Sequence, residues 1–313
     1  MAVPVVAAPS RQAPQAPERR NRLWAVLAAP GIVWLAAFFL FPLYVVLCIV
    51  FGQIDPLFRT PIPVWNPLQW DPTQFTYVLT HIVGENGVYG QAILRTFIYV
   101  MVASALCLLI AFPVSYYVAR LSGKRRGLLL ALLIAPFWIS YMMRMFAWVN
   151  LLQDDGLFNK MLSLGGLFTP DVKWLTGQPV VVILGLVYGY VPYMILPLYA
   201  GLDRLSTPML EASRDLGADR LSSFRRVTLP LCRPTIVAAL LLTCLPMLGD
   251  YFTNDMLSAS PKTTMVGNLI NDGVQAPGQT GQAGAFVMLV FLIALLPMLY
   301  YLRSVTRGSE VAS

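Results

Sequence analysis

The side chains best placed to do chemistry are ionisable and aromatic groups set within long apolar runs. Arg144 lies in the run 128–149, and Asp250 and Asp255 lie toward the end of the run 235–256. A charge at membrane depth costs about 2.5–3.5 kcal/mol by insertion scales, so it is kept where it pairs, contacts a polar solute or lines a passage. At about 1.5 Å rise per helical residue, Arg144 falls roughly 24 Å into its run and Asp250 roughly 22 Å into its own, a shared layer. The two can form a structural bridge, or they can serve in gating or cation contact; the sequence leaves both open. Trp138, Tyr141, Tyr188, Tyr190, Tyr193 and Tyr251 offer aromatic faces to a cation. The same residue types also form the ordinary interfacial belt of membrane helices.

Catalytic chemistry finds little support. The single histidine, His81, has no HExxH pattern or nucleophile arrangement around it. The only Gly-Lys pair, Gly123 and Lys124, is followed by Arg125, so the phosphate-cradling G-x-x-x-x-G-K-[ST] loop is missing. The chain is expected to bind no cofactor and to be no enzyme. Cys48, Cys107, Cys232 and Cys244 are widely spaced without CxxC, which suits free buried thiols better than a metal or disulfide role. The formal charge of +7 is dispersed in short clusters, so nucleic acid is not an expected partner.

The elements that must position these groups are set by composition. With 57% hydrophobic and 12% charged residues in 313, the expected partner is the lipid bilayer. Six runs are long enough to cross it: near 24–51, 95–119, 128–149, 179–200, 235–256 and 283–302. The expected class is an all-α membrane protein with a disordered cytoplasmic tail at 1–22, a six-helix transmembrane domain at 23–303 and a short cytoplasmic tail at 304–313. The first run exceeds the roughly 7–15 apolar residues of a cleaved signal peptide, so it is read as an uncleaved span. The N-terminus, 120–127, 201–234 and the C-terminus carry four, four, six and two of the 22 Lys and Arg, which places these segments and both termini inside. Phe75, Val78, Leu79 and Ile82, and then Leu157, Met161 and Leu162, recur at helical spacing and fit short outer helices or packed turns. Prolines in or beside every span, among them Pro136, Pro192, Pro197 and Pro246, predict bent or locally opened helices.

The inside segment 201–234 carries helix punctuation twice. Thr207 can cap a helix with Pro208 at its first position and Gly217 at its end, and Asp219 can cap a second helix closed by Pro230. Met209, Leu210, Leu216, Leu221 and Phe224 can then fill a partner's cleft, with Glu211, Arg214, Asp215, Arg225 and Arg226 as a charged rim. Glu211, Ala212, Ser213, Gly217, Leu229 and Pro230 stand at the spacing of the EAA loop, and the segment resembles that loop of binding-protein-dependent ABC importer permeases. Ser213 replaces the third motif residue and Val227 replaces isoleucine. The resemblance implies that the loop docks on a separate ATP-binding subunit, with Glu211 and Gly217 central to the contact. ATP and magnesium then belong to that partner.

Three further segments, 135–152, 185–218 and 265–270, resemble the first permease subunit of spermidine/putrescine importers. This implies a MetI-like fold in the cytoplasmic membrane of a prokaryote. It also implies partnership with two ATPase subunits, a second homologous permease and an extracytoplasmic substrate-binding protein. A polyamine cargo would use Asp250 or Asp255. Other cargoes of the class, Fe(III), thiamine, phosphonate or sulfate, remain open, and an anion would favour Arg144. A secondary transporter or channel would share the spans but would have no use for the docking loop.

Overall fold

The computed structural model describes residues 22–83, 87–120, 123–164, 173–205 and 207–310. The expected N-terminal tail lies outside the described residues up to position 21, as do 311–313 at the other end. The helices, in chain order, are α1 (Arg22–Val50), α2 (Thr73–Val83), α3 (Val88–Arg120), α4 (Arg126–Ile134), α5 (Tyr141–Leu152), α6 (Leu157–Leu164), α7 (Pro179–Asp203), α8 (Thr207–Asp215), α9 (Arg220–Ser223), α10 (Leu229–Leu248), α11 (Phe252–Leu257), α12 (Val266–Gln275) and α13 (Thr280–Glu310). One small antiparallel ribbon, β1 (Gln53–Ile54) with β2 (Pro61–Ile62), follows α1.

Among the described residues five helical runs are long and apolar enough to span a membrane: Leu27–Val50, Val88–Arg120, Pro179–Asp203, Arg220–Leu248 and Thr280–Leu299. The expected third span is not one helix. It is a pair, Gly123–Trp138 and Tyr141–Ser163, bent by 81°. Pro136 has no N–H to continue the ladder, and the chain passes through extended backbone at Ile139 and Ser140 before α5 begins. Helices α3 and α7 show that the pair nonetheless carries the chain across. Ser115 donates to the Ile195 carbonyl at 3.0 Å, and Cys107 contacts the Val187 carbonyl at 3.7 Å. Both contacts have an offset of 80 residues, so α3 and α7 run parallel, and the segment between them must return to the starting side.

The fifth span also departs from expectation. It ends at Leu248 with Gly249 as its cap, so Asp250 and Asp255 lie beyond it. The depths counted for Arg144 and Asp250 assumed straight helices and do not hold. At its other end the span starts earlier than expected. Pro230 does not close a second helix but lies inside the continuous run Arg220–Leu248. A π-helical segment, Phe224–Thr228, makes room for it: the Leu229 N–H reaches back to the Phe224 carbonyl, widening the turn just before a residue that cannot donate.

The core gathers on α3, α7 and α10, where Val100, Ala103, Val182, Leu186, Met194, Leu198 and Ala239 are buried. Small residues set the approach of α7 to its neighbours. A Cβ on Gly185 would lie 2.4 Å from a methyl of Leu257, and one on Gly189 would lie 2.7 Å from the Tyr141 ring. A second cluster joins Val50, Val78, Val266, Ala285 and Phe286, so the outer helix over 75–82 exists as α2 and packs Phe75, Val78 and Ile82 inward while Leu79 stays exposed. Helix α6 forms as well, but Leu157 and Met161 remain exposed. Helix α1 turns Trp34, Leu35, Phe38 and Phe39 outward and buries only its last turn, the pattern of a helix facing lipid or another subunit.

Candidate functional site

Two regions hold the residues singled out from the sequence. The first is the loop built on α8 and α9. Helix α8 ends where Gly217 takes φ +85°, and the Ala218 N–H bonds back to the Ser213 carbonyl at 3.1 Å, the six-to-one closure of a glycine C-cap. A Cβ on Gly217 would meet nothing within 4 Å, so backbone conformation, and not space, is what glycine supplies here. Asp219 caps α9 by accepting from the Ser222 N–H at 3.2 Å, and its contacts with the Ser222 side chain and backbone hold the carboxyl below its ordinary range.

The loop presents Glu211, Ala212, Asp215, Leu216 and Gly217 to the outside, with Leu216 at 89% exposure and Leu229 exposed nearby. Ser213 and Pro230 are half-buried. The Ser213 hydroxyl donates to the Leu210 carbonyl at 2.8 Å and shares a 2.7 Å hydrogen bond with Ser223, which ties α8 to α9. Leu210 is half-buried and Phe224 points inward, its ring set edge-on to Phe112 and Tyr116 of α3. These two therefore do not belong to the exposed apolar set, which consists of Met209, Leu216 and Leu221. Phe224 instead connects the loop to a spanning helix. The base of the loop is fixed by an Arg126–Asp203 ion pair, by Arg126 on Tyr199, and by Arg120 donating to the Leu205 carbonyl at 2.7 Å.

The second region is the junction of α5, α7 and the turn after α10. Asp250, 7% exposed, accepts from the Thr253 N–H at 3.0 Å, the Thr253 hydroxyl at 2.6 Å and the Tyr141 hydroxyl at 3.2 Å. Tyr190 donates to the Pro246 carbonyl at 3.5 Å, and its ring lies between those of Tyr141 and Tyr193. By accepting these three bonds Asp250 fastens α5 and α11 across the break after the span.

Arg144 does not bridge to Asp250. Its guanidinium stacks over Phe137 at 4.5 Å, Tyr141 at 5.3 Å and Tyr188 at 5.7 Å from the ring centroids, and Tyr141 stands between the two charges. Arg144 is 8% exposed, yet its Nε and Nη1 have no hydrogen-bond partner among the described residues. Of the two alternatives left open, the bridge is absent because the bend at 139–140 turns Arg144 toward α7, while Asp250 folds back to cap α11. Trp138 is 86% exposed and joins neither group; Tyr193 and Tyr251 are also exposed. Asp255 accepts from the Asn268 side-chain amide at 2.6 Å on α12. Asn268, Thr253 and Phe137 were not foreseen: they are uncharged and sit on short helical turns with no periodic signal, although Phe137 lies within 135–152 and Asn268 within 265–270.

Removing only the hydroxyl in Tyr141→Phe keeps the ring over Arg144 and deletes the donor to Asp250. The transporter is expected to lose about 1–2 kcal/mol, the cost of depriving a buried carboxylate of one hydrogen bond, read as a lower melting midpoint in detergent. An unchanged midpoint would show that the junction does not depend on this contact.

A family model described as "Binding-protein-dependent transport system inner membrane component" matches residues 92–304. The chain is 33% identical over 285 residues to the spermidine/putrescine transport system permease protein PotB of Haemophilus influenzae, covering 90% of this chain and 94% of that protein. It is 38% identical over 184 residues to PotB of Escherichia coli K12, covering 58% of this chain and 66% of that protein. Among solved structures it is similar to a bacterial alginate ABC transporter in complex with an alginate pentasaccharide-bound periplasmic protein. The TM-score is 0.65 at 21% identity, over 90% of this chain and 93% of the other.

Proposed function

The chain belongs to the family of binding-protein-dependent transport system inner membrane components, and from that membership we propose that its cargo is a polyamine of the spermidine/putrescine class. It is the permease subunit of an ABC importer, a transport subunit of the bacterial inner membrane. The observation that carries the cargo is similarity along nearly the whole chain to a permease named for spermidine and putrescine. The chemistry of the junction agrees with it. Asp250 and Asp255 supply carboxylates, and Tyr141, Tyr190, Tyr193, Tyr251 and the outlying Trp138 supply ring faces that attract ammonium groups. Arg144, already enclosed by rings, stands behind this lining as a gate residue for the path.

The partners follow from the loop. The chain binds no nucleotide itself; ATP and magnesium are held by two ATPase subunits, one of which receives α8. Glu211, Ala212, Ser213, Asp215, Gly217, Leu229 and Pro230 form the contact, supported by the exposure of Glu211, Asp215 and Leu216 around the Gly217 turn. A second permease completes the path, and an external binding protein delivers the cargo. The dispersion of Lys and Arg supports cytoplasmic termini, and an even number of crossings agrees with both lying on one side.

The test is uptake of labelled spermidine and putrescine by cells lacking this gene, with the intact chain restored. Restored polyamine uptake is the expected result. Absence of it, in cells whose assembled transporter still hydrolyses ATP with its binding protein, would leave the permease and remove the polyamine.

A further inference from the structure

Beyond the Asp250 turn, α11 and α12 enclose an open cavity of about 330 Å³ bordered by Asn254, Asp255, Ser260, Thr264, Asn268 and Asp272. Hydrogen bonds on its wall fix how the two asparagine amides are turned. The Met265 N–H donates to Asn268 Oδ1 at 2.9 Å, so the Asn268 amide nitrogen turns to the Tyr251 carbonyl at 3.0 Å and to Asp255 Oδ1 at 2.6 Å. Asn254 must then present its own nitrogen to Asn268 Oδ1, which it does at 3.0 Å, because two carbonyl oxygens would repel there. What remains is Asn254 Oδ1, an acceptor with no partner among the described residues on a side chain only 2% exposed. Orphaned buried acceptors are rare and costly, so this one calls for a donor.

Ser260 and Thr264 add hydroxyls to the wall, and the Thr264 hydroxyl donates to the Ser260 carbonyl at 3.4 Å. Of the cations at the neighbouring loop, Lys262 and Arg95, the latter donates to the Pro261 carbonyl at 2.9 Å and to Gln91 at 3.3 Å. Burial pushes the Asp255 carboxyl above its ordinary range; the Asn268 hydrogen bond opposes this, while the like charges of Asp272 and Asp250 add to it. A cation between the two carboxylates would relieve that repulsion. Asp272 also borders the adjoining cavity of about 280 Å³, whose walls include Tyr77, His81 and Tyr89. An alkyl chain extending from the carboxylates would meet those rings.

We propose that Asn254, Asp255 and Asp272 form a subsite for a primary alkylammonium group of the cargo on the α11–α12 side of the permease. An –NH3⁺ group carries three donors, and the site offers one amide carbonyl and two carboxylates. The proposal rests on the polyamine reading and adds Asp272 and Asn254 to the residues that meet the cargo.

The experiment uses the complete transporter in proteoliposomes with saturating binding protein, measuring putrescine uptake and ATP hydrolysis together. Asp272→Asn is expected to lower uptake about tenfold, the effect of losing one charge-assisted contact, while binding-protein-stimulated ATP hydrolysis stays at the wild-type rate. Asp272→Glu restores most of the uptake. Unchanged uptake in Asp272→Asn overturns the subsite, as does a parallel fall of uptake and hydrolysis that Asp272→Glu fails to rescue. If the wild-type transporter itself imports no amine, the polyamine reading falls and the subsite falls with it.

Discussion

Glu211→Lys is expected to cut uptake about a hundredfold, the equivalent of losing roughly 3 kcal/mol at a contact with the ATPase subunit, while membrane insertion stays normal. Glu211 is exposed on α8 and has no ion-pair or hydrogen-bond partner among the described residues, so reversing its charge costs this chain nothing internally. The consequence lies wholly in what docks against it. On the proposed docking, closure of the ATPase pair would reach the spans through rigid connections, and the structure offers three: the Ser213–Ser223 hydrogen bond, Phe224 against α3, and the continuous helix from Arg220 to Leu248. Uptake assays alongside quantitative immunoblots of the membrane fraction make the check. Wild-type uptake by the variant would remove Glu211 from the coupling contact.

Gly267→Val is expected to destabilise the transporter by about 3 kcal/mol, at the upper end for overpacking a tight site. A Cβ at position 267 would lie 2.7 Å from the Gly249 carbonyl oxygen and 2.8 Å from the Asp250 carbonyl carbon. These are backbone atoms in the turn that holds the Asp250 network, so no side-chain rotation can make room. Either α12 withdraws, breaking the Asn254–Asn268 bond, or the turn shifts and Asp250 loses Thr253 and Tyr141. The readout is the melting midpoint of the purified complex together with uptake; both should fall. An unchanged midpoint would show that α12 is free to slide over the turn.

Sequence alone decided what local physical chemistry could decide. Apolar runs of spanning length, the distribution of Lys and Arg, and the punctuation by Pro208, Gly217 and Asp219 depend on residue type and near neighbours, so α1, α3, α7, α8 and α13 were legible before any contact was known. The spacing from Glu211 to Pro230 was legible too, because the motif it resembles runs along the chain and needs no tertiary contact to be read. Tertiary structure alone decided how interrupted helices resolve. Pro136 marked an irregularity, but only the packed chain turns it into an 81° bend, and Pro230 looked like a stop until a π-helical turn absorbed it. That is why Arg144 and Asp250, equal in depth on straight helices, part company: one is enclosed by three rings, the other binds the turn of α11. The acceptor-lined cavity was invisible for the same reason. Asn268 and Asp272 stand one turn apart on α12, but nothing local ties them to Asn254 and Asp255, and only the fold of α11 against α12 brings the four to one space.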